Sequence, residues 1–245
     1  MKQEQKLYIL DQIPFKLNLD EQLESQRLVG KQRLIKEFTG IVKEAETLAK
    51  PKALFLKLDI ADRGEDHITI DGKCLTSRVL SVNLAERQVA YPALATCGTE
   101  LDEWANSKTN MLHQFWAKSI ANAALGTAIT AVETSLQDRF NIEMTSLMTP
   151  GSLIDWPISQ QTGLFDLFGD AARKIGVSLN DSFLMTPLSS VSCLMFESDI
   201  RFFSCQLCPK TDCQSRRAAF EEHLFTEKYA LDQDNGTDTD IVCHH

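Results

Sequence analysis

At 245 residues and 43% hydrophobic content, the chain is long enough to bury a substantial core as one large domain or two small ones. Its 34 acidic and 25 basic residues give a formal net charge of −9, which argues against a nucleic-acid partner, because neutralising phosphates takes clustered Lys and Arg. The longest small-residue run, Ile120 to Val132, is broken by Asn122, Gly126, Thr127 and Thr130, and Met1 to Lys6 lacks the apolar core of an export signal, so a cytoplasmic protein without a membrane span is expected.

Residues 1–20 alternate apolar and polar around Tyr8 to Leu10 and read as an arm lying on the body. From Asp20 to Ala49, apolar residues recur at helical spacing, giving one long or two shorter amphipathic helices with an interruption at Gly30. Pro51 ends that run, and Ala53–Ile60 and His67–Ile70 read as strands. Leu75–Leu84 is expected to be helical. Val89–Gly98 reads as an apolar strand weakened by Pro92, and a helix begins near Thr99. Leu112–Arg139, apolar at every fourth residue and rich in alanine, is expected to be the central buried helix.

The loop Met148–Ser159 has two prolines and a glycine to fix its backbone, and side chains too large for a mere connector. Ser159 suits the N-cap of a helix that runs to Ile175, with Gly176 at its C-terminal cap. Val191–Phe196 and Ile200–Phe203 read as strands, Arg216–Tyr229 as a helix, and Asp232–Asp240 as a disordered acidic tail. Thr149, Ser189 and Ser190 are candidate hydrogen-bonding groups for a nucleotide or corrinoid amide, and Asp155 and Trp156 candidate contacts in the shaped loop.

Seven cysteines, an odd number in a chain expected in the cytoplasm, favour thiols or metal ligands over a disulfide framework. Cys205, Cys208 and Cys213 fall within nine residues, and Cys193 is placed to add a fourth thiolate from the preceding strand. Four thiolates complete either a zinc site or a [4Fe–4S] cluster, and His223 is an alternative fourth ligand for zinc; ordinary reduced thiols are the third option. Arg216 and Arg217 follow the cluster and would stabilise a negative charge there, dock an acidic partner, or simply face solvent.

Four segments in order resemble the reactivation domain of cobalamin-dependent methionine synthase and its stand-alone relatives. They are Ala93–Gly98 before a helix; the small-residue helix ending Ala131-Val-Glu133; Thr149-Pro150-Gly151 leading to Asp155–Gln160; and Ile175–Val177 followed by Met185–Pro187 and Ser189–Ser192. The resemblance covers roughly Ala90 to Phe203. It implies an α+β fold, with a twisted antiparallel sheet and flanking helices. It also implies a cofactor-facing role for Thr149, Pro150, Gly151, Asp155, Trp156, Ser189 and Ser190.

By that resemblance, residues 89–203 form the core, 1–88 a helical and strand region packed on it, 204–230 a cysteine segment with a helix, and 231–245 a tail. The implied function is accessory: reductive reactivation of a corrinoid protein or methyltransferase, through an iron–sulfur cluster fed by an electron donor, or capping of such a protein with a structural zinc. The family's Arg-x-x-Pro-Gly-Tyr motif, which helps hold S-adenosylmethionine, has Leu147 and Ser152 at its arginine and tyrosine positions here. Losing a charge-assisted fork costs about 1.5 to 3 kcal/mol, so weakened S-adenosylmethionine binding is expected.

Overall fold

Two strands, β5 (Val89–Thr96) and β9 (Ser190–Glu197), run antiparallel at the middle of the sheet because both are apolar on both faces. The computed structural model describes residues 6–210, 212–213 and 216–230. Outward on one side of β5 come β2 (Lys52–Arg63), β3 (His67–Ile70) and β4 (Lys73–Thr76). Beyond β9 lies the edge strand β6 (Thr145–Met148). The arm is a strand, β1 (Lys6–Leu10), that pairs with β2 from Lys6 against Lys57 to Leu10 against Ala53. Every pairing is antiparallel. A two-stranded ribbon, β7 (Ser178–Leu179) with β8 (Met185–Thr186), stands apart. Strands from residues 1–88 and from 89–203 therefore complete one sheet.

Alternation along the strands sorts the core into two layers. Leu54, Leu56, Leu94, Leu194 and Phe196 face α3 (Arg78–Asn83), α6 (Gln161–Phe168) and α7 (Ala171–Lys174), together with Trp156 and Tyr229. Ala53, Phe55, Ala93, Ala95, Val191, Cys193 and Met195 face the second half of α5 (Met111–Phe140). Alanines on both the sheet and the helix let α5 approach closely, as its composition implied. The first half of α5 packs with α2 (Gln32–Leu48) and α4 (Thr99–Asn106), flanked by α1 (Leu19–Ser25). This is the α+β architecture expected, an antiparallel sheet with flanking helices. Among the described residues, no helix is long and apolar enough to cross a membrane.

Several local expectations are sharpened or corrected. The break between α1 and α2 falls at Arg27 to Gly30, both with positive φ, so two helices form. Leu75 belongs to β4 rather than to a helix, which begins only after Ser77 caps it through Leu80 N–H. Pro92 is tolerated in a central strand because the β2–β5 ladder pairs Ala93 with Phe55 and Ala90 with Leu58 and skips the residues between. The helix expected to run to Ile175 breaks at Gly169, which has φ +52. Ile200–Phe203 forms no strand: Phe202 turns inward and its N–H donates to Ser146 Oγ at 2.7 Å, while Ile200 is exposed. The helix expected over Arg216–Tyr229 shrinks to a short helical turn around Leu224–Lys228. The expected acidic tail lies outside the described residues.

Candidate functional site

The loop leaving β6 is held by its own backbone. Gly151 N–H donates to Trp156 O at 2.7 Å, Trp156 N–H to Leu153 O at 3.1 Å, and Ser152 N–H to Thr149 O at 3.2 Å. Gly151 has φ +84, and a Cβ there would lie 3.0 Å from Ile158 Cδ1, so the turn takes glycine. Pro150 and Gly151 are buried, giving the loop its shape and leaving ligand contact to their neighbours. The Asp155 carboxylate is committed to the protein. It accepts from Arg78 N–H at 3.1 Å, Val79 N–H at 3.0 Å and Ser77 Oγ, which ties the loop to the start of α3. Trp156 is fully buried under the loop in the layer shared with α6 and α7.

Ser189 and Ser190 are likewise engaged. Ser189 Oγ donates to Asn122 Oδ1 on α5 at 2.7 Å, and the buried Ser190 Oγ donates to Thr96 Oγ1 on β5 at 2.8 Å. Of the seven residues expected to face a cofactor, only Thr149 lines the cavity described next.

A cavity of about 390 Å³ opens at the β6 edge of the sheet on its α5 side. Leu125, Ile129, Leu147 and Val191 supply apolar surface, and Thr145, Thr149, Ser152 and Ser204 supply hydroxyls. Gly126 of α5 also lines it, and a Cβ at Gly126 would meet nothing within 4 Å, so the helix is cut back there. Thr145 Oγ1 is buried and has no hydrogen-bond partner among the described residues, an orphaned polar atom in the cavity wall. At the rim Arg201 pairs with Glu133 at 3.5 Å. Ser152 Oγ lies 3.2 Å from Ser204 Oγ, joining the Pro-Gly loop to the cysteine segment. Arg201, Thr145 and Ser204 were not legible as site residues, since Arg201 sits in a segment expected to be a strand and none carries a motif. A second, more open hollow of about 800 Å³ between residues 9–14 and Thr127–Arg139 holds none of the expected site residues.

Cys205, Cys208 and Cys213 all line the cavity, as do Arg216 and Arg217. The Arg216 guanidinium organises this segment. It donates to Cys205 O at 3.0 Å, Cys208 O at 3.0 Å and Ala218 O at 3.1 Å, and also to Lys210 O. A residue expected to face a cluster, a partner or solvent thus gathers backbone carbonyls, which turns the loop's carbonyls inward. Arg217 N–H donates to Cys205 Sγ at 3.4 Å.

The expected fourth thiolate is set apart. Cys193 is 3% exposed beneath the apolar layer of β9 and does not line the cavity. Burial, helped by the charge of Glu133, pushes its thiol up to about 12. His223, the alternative, is largely exposed and lies 3.8 Å from Glu221. Among the described residues, no three His, Cys, Asp or Glu side chains converge to hold a metal ion. Of the four cysteines expected to hold an iron–sulfur cluster or zinc, three line this cavity and Cys193 does not.

Sheet, flanking helices and edge loop together give this chain an α+β fold. Among solved structures it is similar to the crystal structure of the MetH reactivation domain bound to AdoHcy, with a TM-score of 0.58 over 81% of this chain and 80% of that one. Sequence identity is 16%, so the likeness is one of fold. No protein-family model matches the sequence, and no curated protein matches it.

Proposed function

We propose that this protein docks on a corrinoid-carrying protein and supports the return of its oxidised cobalt centre to the active state. The observation that carries this reading is the shared fold, which spans four-fifths of both chains. The rigid loop Met148–Ser159, with Ile154 exposed at its tip, is the surface offered to the corrinoid partner. A loop held by three internal hydrogen bonds and an Asp155 tether loses little freedom on docking, which favours binding through a small contact. Calorimetry against a cobalamin-loaded partner, with Co(II) reduction followed by absorbance under anaerobic conditions, tests the proposal. Absence of binding where a micromolar complex would saturate overturns it. Binding without accelerated reduction, in iron-free protein, leaves capping as the function and removes the redox role.

A second reading follows from Arg201. The cavity that carries Leu147 and Ser152 in place of the family's arginine and tyrosine acquires a guanidinium from the segment after β9. Arg201 would face the carboxylate of an S-adenosyl ligand, with Thr145 Oγ1 offering a hydrogen bond. Arg201→Leu is then expected to weaken S-adenosylhomocysteine binding about 10-fold or more, from the loss of a charge-assisted bond worth about 1.5 to 3 kcal/mol. Equal affinity of the two proteins in equilibrium dialysis refutes it.

A further inference from the structure

We propose that Cys205 and Cys208 form a reversible dithiol–disulfide pair at the cavity rim, with Cys205 as the entering thiol and Cys208 as the resolving one. The inference stands on the geometry of the cysteine segment and does not require the corrinoid reading. The two residues close a single turn, Ser204–Leu207, in which Cys208 N–H donates to Cys205 O at 3.3 Å. The ends of such a turn lie within about 7 Å between Cα atoms, and disulfides span about 4.4 to 6.8 Å, so bridging takes side-chain rotation without unfolding the backbone. Arg216 pins the carbonyls of both cysteines, which keeps the turn in that shape.

The two thiols also differ in the way a stepwise exchange requires. Cys205 is half-buried, opens on the cavity and receives the Arg217 N–H on its sulfur. That bond holds the Cys205 sulfur at the cavity wall, where a co-reactant reaches it. Cys208 is 7% exposed and lies behind it. Arg201, Arg216 and Arg217 on the cavity wall favour an anionic disulfide as the co-reactant. Cys213 joins the same wall, but the two thiols closed by a single turn are Cys205 and Cys208.

The reaction is thiol–disulfide exchange with a small organic disulfide such as glutathione disulfide. Cys205 thiolate attacks one sulfur; the S–S bond breaks and one thiolate leaves with the electron pair, giving a mixed disulfide on Cys205. Cys208 loses its proton to solvent and attacks Cys205 Sγ, expelling the second thiolate. The dithiol is oxidised by two electrons and the small disulfide is reduced to two thiols.

The test uses the full chain, reduced and then equilibrated without air in buffers of graded glutathione disulfide to glutathione ratio, quenched in acid and alkylated with a maleimide. Cys205 and Cys208 lie on one tryptic peptide, residues 202–210, so the bridge appears as an unalkylated peptide lacking two hydrogens. Two of the seven thiols are expected to disappear together along a two-electron titration curve, while Cys208→Ser accumulates glutathione on Cys205 and Cys205→Ser forms no bridge in this peptide. Cys205 is partly exposed, so Cys205→Ser keeps the test decisive if Cys208→Ser fails to fold. Seven alkylated thiols at every ratio, a bridge that involves Cys213 instead, or tightly bound iron or zinc that blocks alkylation of all three cysteines would each overturn the proposal.

Discussion

Replacing Asp155 by alanine separates a ligand-binding carboxylate from a structural one. In the wild type this carboxylate accepts from Arg78 N–H, Val79 N–H and Ser77 Oγ, at the first turn of a helix of only six residues. The alanine variant leaves the Val79 N–H, in a fully buried residue, without its acceptor. An orphaned buried donor costs about 1 to 3 kcal/mol and a lost cap about 0.5 to 2, so the combined loss is about 3 kcal/mol. For a chain of this size that lowers Tm by about 6 to 12 °C. Asp155→Asn keeps one acceptor oxygen but no charge and should fall between. Urea unfolding of the three proteins measures the stability term, and calorimetry below the variants' melting range measures partner binding. Unchanged stability in Asp155→Ala together with lost binding would refute the structural assignment and restore Asp155 to the ligand site.

The buried thiols set a dependence on alkaline pH. Burial pushes Cys193 and Cys97 up to about 12 from an ordinary value of 9.0, so the folded state keeps protons that the unfolded chain releases. Stability is therefore fully present below about pH 9 and falls as pH rises towards 12; by pH 10 each thiol has lost about 1.4 kcal/mol. Urea unfolding at pH 8 and pH 10 should show that loss, and Cys193→Ala should flatten the difference by about that amount; an equal slope in the variant contradicts the assignment. Arg216→Met removes the guanidinium that holds four carbonyls of the cysteine segment. Local opening should become at least about 10-fold easier, because even one charge-assisted hydrogen bond is worth about 1.5 kcal/mol, and maleimide labelling of Cys208 should speed up accordingly while the urea midpoint moves little. Equal labelling rates would show that the segment is held by other contacts.

Local residue pattern is enough to place several elements of this fold. The amphipathic α2 follows from a period of 3.6 left by one buried face, while the alanine-rich run of α5 and the continuous apolar runs of β5 and β9 follow from burial on more than one side. The Pro-Gly loop and the cysteine run were also visible as unusual segments, and the ordered motifs pointed to the fold. Tertiary structure alone decided which of these residues meet. Asp155 and Trp156 look like ligand contacts in a loop and are drawn inward by α3 and the core, since a carboxylate beside free N–H groups caps them wherever the chain brings them together. Cys193 lies only twelve positions before Cys205, yet strand alternation points it into the α5 layer, while Phe202 turns the chain so that Cys205 opens on the cavity. Arg201, Thr145 and Glu133 come from three distant segments, and only the packing of β6, α5 and the segment after β9 makes them neighbours. Spacing along the chain determines which residues share an element; the positions of their atoms are set by the pairing of elements far apart in sequence.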